Sequence, residues 1–94
     1  MGMEKFFYRV KSGDSVLSIS KRFNCSMGKL ISINRLKKEV SAGDILLIEK
    51  EKNLYMVKYT DTIEKIAVRF CTTPEKILEN NCLPYIFCGL LIVI

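Results

Sequence analysis

The feature that most constrains this chain is an internal repeat. Shifting the 94-residue sequence by 47 positions pairs Tyr8 with Tyr55, Val10 with Val57, Lys11 with Lys58, Asp14 with Asp61, Ile19 with Ile66, Arg22 with Arg69, Phe23 with Phe70, Lys29 with Lys76, Asn34 with Asn81 and Leu36 with Leu83. Beyond Leu83 the second copy loses one residue: Gly43 pairs with Gly89, and Leu46 and Ile48 pair with Ile92 and Ile94. Loops tolerate length change, so the lost residue marks a loop. Self-similarity at one period means that each copy builds the same supersecondary unit. A unit of about 40–45 residues lies near the lower limit for burying its own core. A hydrophobic content of 49% argues against disorder.

Each copy opens on a short apolar or alternating run, Phe7-Tyr8-Arg9-Val10 and Leu54-Tyr55-Met56-Val57, which reads as a strand. Gly13-Asp14-Ser15 and Thr60-Asp61-Thr62 follow, with small oxygen-bearing side chains that suit a helix start. Asp14 and Asp61 are the expected caps, and Asp61 with Glu64 has capping-box spacing. Val16, Ile19, Ser20 and Phe23, like Ile63, Ile66, Ala67 and Phe70, then recur at the i, i+3, i+4, i+7 period of an amphipathic helix, with both phenylalanines expected in the core. Second helices start at Ser26 and at Thr73-Pro74-Glu75, where a cap, a proline and an acid follow in order. Asn34 and Asn81 stand where those helices should stop, and are read as C-terminal caps. A loop then leads through Gly43 or Gly89 to a last strand, 45–48 or 91–94.

The expected fold class is α+β: two tandem βααβ modules, 1–50 and 51–94, each a two-stranded antiparallel sheet with two helices packed on one face. Between the copies lies Glu49-Lys50-Glu51-Lys52-Asn53, a polar linker reaching at most ~18 Å. The modules must be near neighbours, but the sequence leaves open whether they dock.

In this order the residues closely resemble the LysM module. Tyr8-Arg9-Val10-Lys11-Ser12-Gly13-Asp14-Ser15-Val16, then Ile19-Ser20 and Phe23, then Leu30 and Asn34, then Gly43-Asp44, Leu46 and Ile48 follow the family pattern Y-x-V-x-x-G-D-T-L-x-x-I-A…F, L…N, I-x-x-G-Q-x-L-x-I. The resemblance recurs in the second copy and so spans nearly the whole chain. It implies a βααβ fold that binds N-acetylglucosamine polymers, chiefly peptidoglycan and chitin, in a shallow groove between two loops. Carried over by position, the carbohydrate-binding residues are Gly13, Asp14, Ser15 and Val16 with Asn34, Arg35 and Leu36. In the second copy they are Thr60, Asp61, Thr62 and Ile63 with Asn81, Cys82 and Leu83. The second copy departs from the pattern at Tyr59-Thr60, which replaces Ser12-Gly13, and at Leu90, where a polar residue is usual. Its second loop, Pro84-Tyr85-Ile86-Phe87, is more apolar than Lys37-Lys38-Glu39-Val40. Tyr85 and Phe87 could stack on sugar rings or bury against the first copy. The first copy is expected to be the better sugar site.

Charge and cysteine content narrow the remaining classes. Residues 1–50 hold ten Lys/Arg against five Asp/Glu, and residues 51–94 hold five of each, so the net charge of +5 lies in the first half. A solvated surface accounts for that charge, and an anionic partner such as teichoic acid could feel it. Nucleic acid is disfavoured, because aromatic residues do not interleave the basic positions. The chain has no histidine, so a Cys–His pair is excluded and the usual neutral-pH base is missing. Cys25, Cys71, Cys82 and Cys88 lack C-x-x-C spacing, so no metal or cofactor is implied. Reduced thiols are expected, with Cys71 and Cys88 packing as small hydrophobes. Met1–Arg9 has no leader character. The run 83–94 is too short to span a membrane and is read as a buried strand. The chain is then cytoplasmic, exported by other means, or cut from a longer protein. The expected function is a non-catalytic carbohydrate-binding protein of cell wall or spore cortex. The alternative is a structural or protein-interaction module in spore-coat or cell-envelope assembly.

Overall fold

The computed structural model describes residues 4–94. Met1–Met3, part of the stretch read above for a leader, lie outside the described residues. In chain order the elements are β1 (Lys5–Arg9), α1 (Val16–Arg22), α2 (Met27–Asn34), β2 (Ile45–Glu49), β3 (Leu54–Met56), α3 (Ile63–Arg69), α4 (Pro74–Asn81) and β4 (Leu91–Val93). Strand–helix–helix–strand is thus traced twice. β1 pairs antiparallel with β2 from Lys5↔Glu49 to Arg9↔Ile45, and β3 with β4 from Leu54↔Val93 to Met56↔Leu91. The α+β class follows as expected from the pattern.

Val10 and Val57 fall just past their strands, yet both continue the ladder. The Val10 amide donates to the Asp44 carbonyl at 2.8 Å, and the Gly43 amide donates to the Val10 carbonyl at 2.8 Å. Val57 repeats this with Leu90 and Gly89, at 2.9 and 2.8 Å. Gly43 and Gly89 hold φ of +97° and +91°, a left-handed turn that a side chain would strain. Both valines are thereby pinned into their cores.

The helix starts are capped one residue later than the sequence suggests. Ser15 Oγ accepts the Ser18 amide at 3.1 Å, and Ser18 Oγ accepts the Ser15 amide at 2.9 Å, a capping box made of two serines. Thr62 caps α3 by accepting the Lys65 amide at 3.1 Å. Asp14 and Asp61 are therefore not caps, and the Asp61–Glu64 box does not form, because each aspartate turns back toward the preceding strand. Thr73 caps α4 with Pro74 at its first position, as the sequence indicates. At the other ends the left-handed caps are Arg35 (φ +53°) and Cys82 (φ +54°), not the asparagines beside them.

Each half has its own core. Val10, Val16, Ile19, Leu30, Val40, Leu46 and Ile48 form the first, and Val57, Ile66, Ala67, Ile77, Leu90 and Ile92 the second. Leu90, which breaks the family pattern, is fully buried there. The phenylalanines fit this scheme less well than expected. Each closes its helix at the rim, so Phe23 is half-buried and Phe70 is 36% exposed. Their rings lie 5.0 Å from Tyr8 and 5.3 Å from Tyr55.

The C-terminal run is not one buried strand. The strand is Leu91–Val93, flanked by the backbone bonds of Leu90 to Val57 and Ile94 to Asn53, and residues 83–89 form a loop that leaves Tyr85 exposed. Cys71, Cys82 and Cys88 are exposed, which corrects the expectation that Cys71 and Cys88 pack inside; Cys25 is the buried thiol. Cys71 and Cys82 sit at positive φ after α3 and α4, where the chain turns outward. Burial, with a smaller push from Glu51, raises the Cys25 thiol to about 11.

The stretch between the halves is tied down. Glu49 belongs to β2, the Glu51 amide donates to the Asn24 carbonyl at 3.0 Å, and the Glu51 carboxylate pairs with Lys29 at 3.3 Å. The halves dock. Leu17 of α1 and Met27 of α2 pack against the second core. At Gly28 a Cβ would lie 1.7 Å from the Asn81 carbonyl oxygen and 2.6 Å from Leu83 Cγ. The first turn of α2 thus lies directly on the end of α4, with room for hydrogen alone.

Candidate functional site

Tyr8, Asp14 and Arg22 form a cluster that fixes the loop after β1. Asp14 Oδ2 accepts from the Tyr8 hydroxyl at 2.5 Å and from the Lys11 amide at 2.9 Å, and Oδ1 pairs with Arg22 at 2.9 Å. Arg22 also donates to the Tyr8 oxygen at 2.9 Å. The Tyr8 hydroxyl bond, then the Lys11 amide and the Arg22 guanidinium, hold the Asp14 carboxyl down at about 2. The second half rebuilds this cluster from Tyr55, Asp61, Lys58 and Arg69, with a looser Arg69–Asp61 separation of 3.6 Å. There the Tyr55 hydroxyl, then the Lys58 amide, lower the Asp61 carboxyl. Both aspartates are ionised and already well supplied with hydrogen-bond donors. They shape the loop and have little capacity left for proton transfer.

Asn34 and Asn81 are also structural. Asn81 Nδ2 donates to the carbonyls of Ile77 at 2.8 Å and Val93 at 3.0 Å, and its Oδ1 accepts the Val93 amide at 2.7 Å. Asn34 makes the same three bonds to Leu30 and Leu47. Each asparagine thus stitches the last turn of the second helix to the closing strand.

A cleft of about 360 Å³ opens beside this frame in the first half. Val16, Leu17, Met27, Ile31 and Leu36 line it, with Lys37, Lys38 and Glu39 on the following loop. In the second half a cleft of about 280 Å³ is lined by Asp61, Thr62, Ile63, Leu78, Pro84, Tyr85 and Ile86. The two occupy the same place in the repeat. Val16 corresponds to Ile63 and Ile31 to Leu78, and in both halves the loop following the second helix forms a wall. Apolar side chains with a few polar neighbours suit a ligand with a methyl or sugar face and a few hydrogen-bonding groups.

The missing residue of the second copy lies in that wall. The Asp44 amide donates to the Ser41 carbonyl and the Leu90 amide to the Phe87 carbonyl, so Ser41 corresponds to Phe87 and Glu39 to Tyr85. Glu39 Oε1 accepts the Val16 amide at 2.7 Å and the Val40 amide at 3.0 Å, strapping the wall to the start of α1. Tyr85 instead stands 66% exposed at its cleft.

The residues carried over from the family pattern are thus divided. Val16 and Leu36 line the first cleft, and Asp61, Thr62 and Ile63 line the second. Ser15 is a cap, Asp14 belongs to the tyrosine–arginine cluster, and Gly13 makes the turn at φ +90°. Thr60 replaces Gly13 without entering that conformation. Asn34 and Asn81 are cross-links, Arg35 and Cys82 are exposed left-handed caps, and Leu83 packs on the second core. Leu17, Met27 and Ile31 in the first cleft and Leu78 in the second also line these surfaces, at positions the family pattern does not mark. The signal was present, since Ile31 and Leu78 occupy equivalent apolar positions of the second helices.

The repeated βααβ scaffold, with a cleft at the equivalent place in each repeat, defines a class of small tandem modules. The LysM domain family matches over residues 8–49 and 55–84, and the chain belongs to that family. The second match stops at residue 84, where the apolar wall begins. Among relatives, the N-acetylmuramoyl-L-alanine amidase Sle1 of Staphylococcus saprophyticus is 34% identical, covering 79% of this chain and 26% of its own length. The probable peptidoglycan endopeptidase LytE of Bacillus subtilis is 30% identical, covering 79% of this chain and 27% of its own. A solved structure, the spore cortex-lytic enzyme SleL of Bacillus megaterium QM B1551, is 31% identical over 99% of this chain and 23% of that one, with a TM-score of 0.46. The chain spans about a quarter of the length of the curated relatives it matches. Among the described residues no helix is long and apolar enough to cross a membrane, and no three candidate ligands converge as a metal site.

Proposed function

We propose that this chain is a non-catalytic glycan-binding protein that recognises N-acetylglucosamine-containing polymers, with peptidoglycan as the target. The observation that carries this reading is the pair of clefts in equivalent positions, each between the start of the repeat's first helix and the wall after its second helix. Membership of the LysM family supports it, as do relatives named as an N-acetylmuramoyl-L-alanine amidase and a peptidoglycan endopeptidase. The non-catalytic part rests on the chemistry present. The carboxylates nearest the clefts are tied up as acceptors, and the sequence holds no histidine to act as a base. Two weak sites on one docked body gain from effective concentration when a polymer reaches both.

Co-sedimentation with purified peptidoglycan, and separately with chitin, tests the proposal. Peptidoglycan should carry the protein into the pellet, and soluble fragments should move amide resonances at Val16, Leu36, Ile63 and Tyr85. Protein that stays in the supernatant with both polymers and gives no shifts with fragments would overturn it.

A further inference from the structure

The two clefts share a position in the fold but differ in charge. On the wall of the first stand Lys37 and Lys38, both exposed. Among the described residues neither belongs to an ion pair. The acid beside them, Glu39, points its Oε1 inward onto the Val16 and Val40 amides, so it offers that oxygen to the fold and not to the lysines. Arg35, exposed at the end of α2, adds a third positive charge near this wall. The wall of the second cleft is Pro84, Tyr85 and Ile86, with no charge. Its one carboxylate, Asp61, is met by the Tyr55 hydroxyl, the Lys58 amide and Arg69.

A ligand that places a carboxylate at the first wall gains from cations that are otherwise unpaired. At the second wall the same carboxylate would be desolvated against apolar side chains without a counter-charge. A neutral sugar fares in the opposite way, since an exposed tyrosine ring can cover the apolar face of a pyranose. Resting on the glycan reading above, we infer that the clefts divide the polymer by charge. The first takes the carboxylate-bearing units, N-acetylmuramic sugars with their lactyl or peptide acid groups, and the second takes neutral N-acetylglucosamine units faced by Tyr85. A polymer alternating acidic and neutral sugars would then satisfy both clefts, whereas chitin would satisfy the second alone.

The test is an amide-shift titration of the full chain with two soluble probes. One is the neutral chitotetraose, and the other is the anionic disaccharide dipeptide of N-acetylglucosamine, N-acetylmuramic acid, alanine and isoglutamate. Chitotetraose should shift Ile63, Leu78 and Tyr85 first, and the anionic probe should shift Val16, Ile31 and Lys38 more strongly than chitotetraose does. The K37Q/K38Q variant changes two exposed loop residues. It should weaken the anionic probe at the first cleft by roughly three- to tenfold at low salt and leave chitotetraose at the second unchanged. Tyr85→Ala should do the converse. Unchanged affinity for the anionic probe in K37Q/K38Q, or equal responses of both clefts to both probes, overturns the division by charge while the glycan reading stands. Shifts from neither probe would overturn both.

Discussion

Glu39 holds the amide of Val16 across the mouth of the first cleft at 2.7 Å, and the same oxygen takes the Val40 amide at 3.0 Å. One side chain thereby joins the wall after α2 to the first turn of α1. The second half has Tyr85 in that place, which cannot accept two amides in this way. The first cleft is consequently strapped, and the second presents an aromatic ring.

Glu39→Ala should release the strap. Hydrogen bonds to a charged group contribute more than neutral ones, and at this partly exposed site the loss should be about 1 kcal/mol. Urea unfolding would measure it, and hydrogen exchange at the Val16 amide should accelerate. Glu39→Gln keeps a carbonyl acceptor and should fall between the two.

Gly28→Ala tests the docking of the halves. The added methyl would meet the Asn81 carbonyl and Leu83, and the backbone oxygen at 1.7 Å cannot swing aside as a side chain would. Both halves should keep their helices while contacts between Met27 and the second core are lost. Solution scattering should show expansion beyond the compact particle, whose Cα radius of gyration is 13.4 Å. A variant whose scattering and inter-half contacts match the parent would contradict this close approach.

Much of this was legible in the sequence because the repeat supplies two readings of every element. Apolar residues at matched positions, Ile19 with Ile66 and Leu46 with Ile92, mark the two cores. Polar side chains were harder to place. Asp14 and Asn34 carry the residue types of helix caps at the right points along the chain. Their partners, however, are Arg22 and Tyr8 in one case and Leu47 in the other, and these are set by how strand and helix meet in space. Docking was illegible for the same reason. Gly28 lies within a helix and breaks no local rule, and only its contact with Asn81 explains it.

Acid should weaken both halves. The Asp14 carboxyl is held at about 2 in the folded chain, below its ordinary value of 3.8, and the Asp61 carboxyl is lowered in the same direction. A carboxyl depressed by folding contributes stability above its unfolded pKa and loses it as the pH falls through the folded one. For Asp14 the loss should begin as the pH drops below about 5 and run toward 2. Melting temperatures across this range should fall less steeply in Asp14→Asn than in the parent. Parallel curves would show that the cluster does not couple to folding.

Asn81→Ala should be the most damaging single change. Asn81 is 0% exposed, and removing its amide leaves the Val93 amide, the Val93 carbonyl and the Ile77 carbonyl without that partner. Losing a buried polar network and leaving its partners unsatisfied costs about 2–4 kcal/mol. The second half is the less able to absorb this, because β3 and β4 are three residues each against five in β1 and β2. Asn34→Ala removes the equivalent bonds from the longer sheet and should cost less. Chemical unfolding of the two variants measures the difference, and hydrogen exchange locates it. Fast exchange at Val93 in Asn81→Ala, with Leu47 still protected, would assign the loss to the β3–β4 closure. Asn81→Asp should not rescue it, since a carboxylate keeps the acceptor for the Val93 amide, loses both donors and buries a charge.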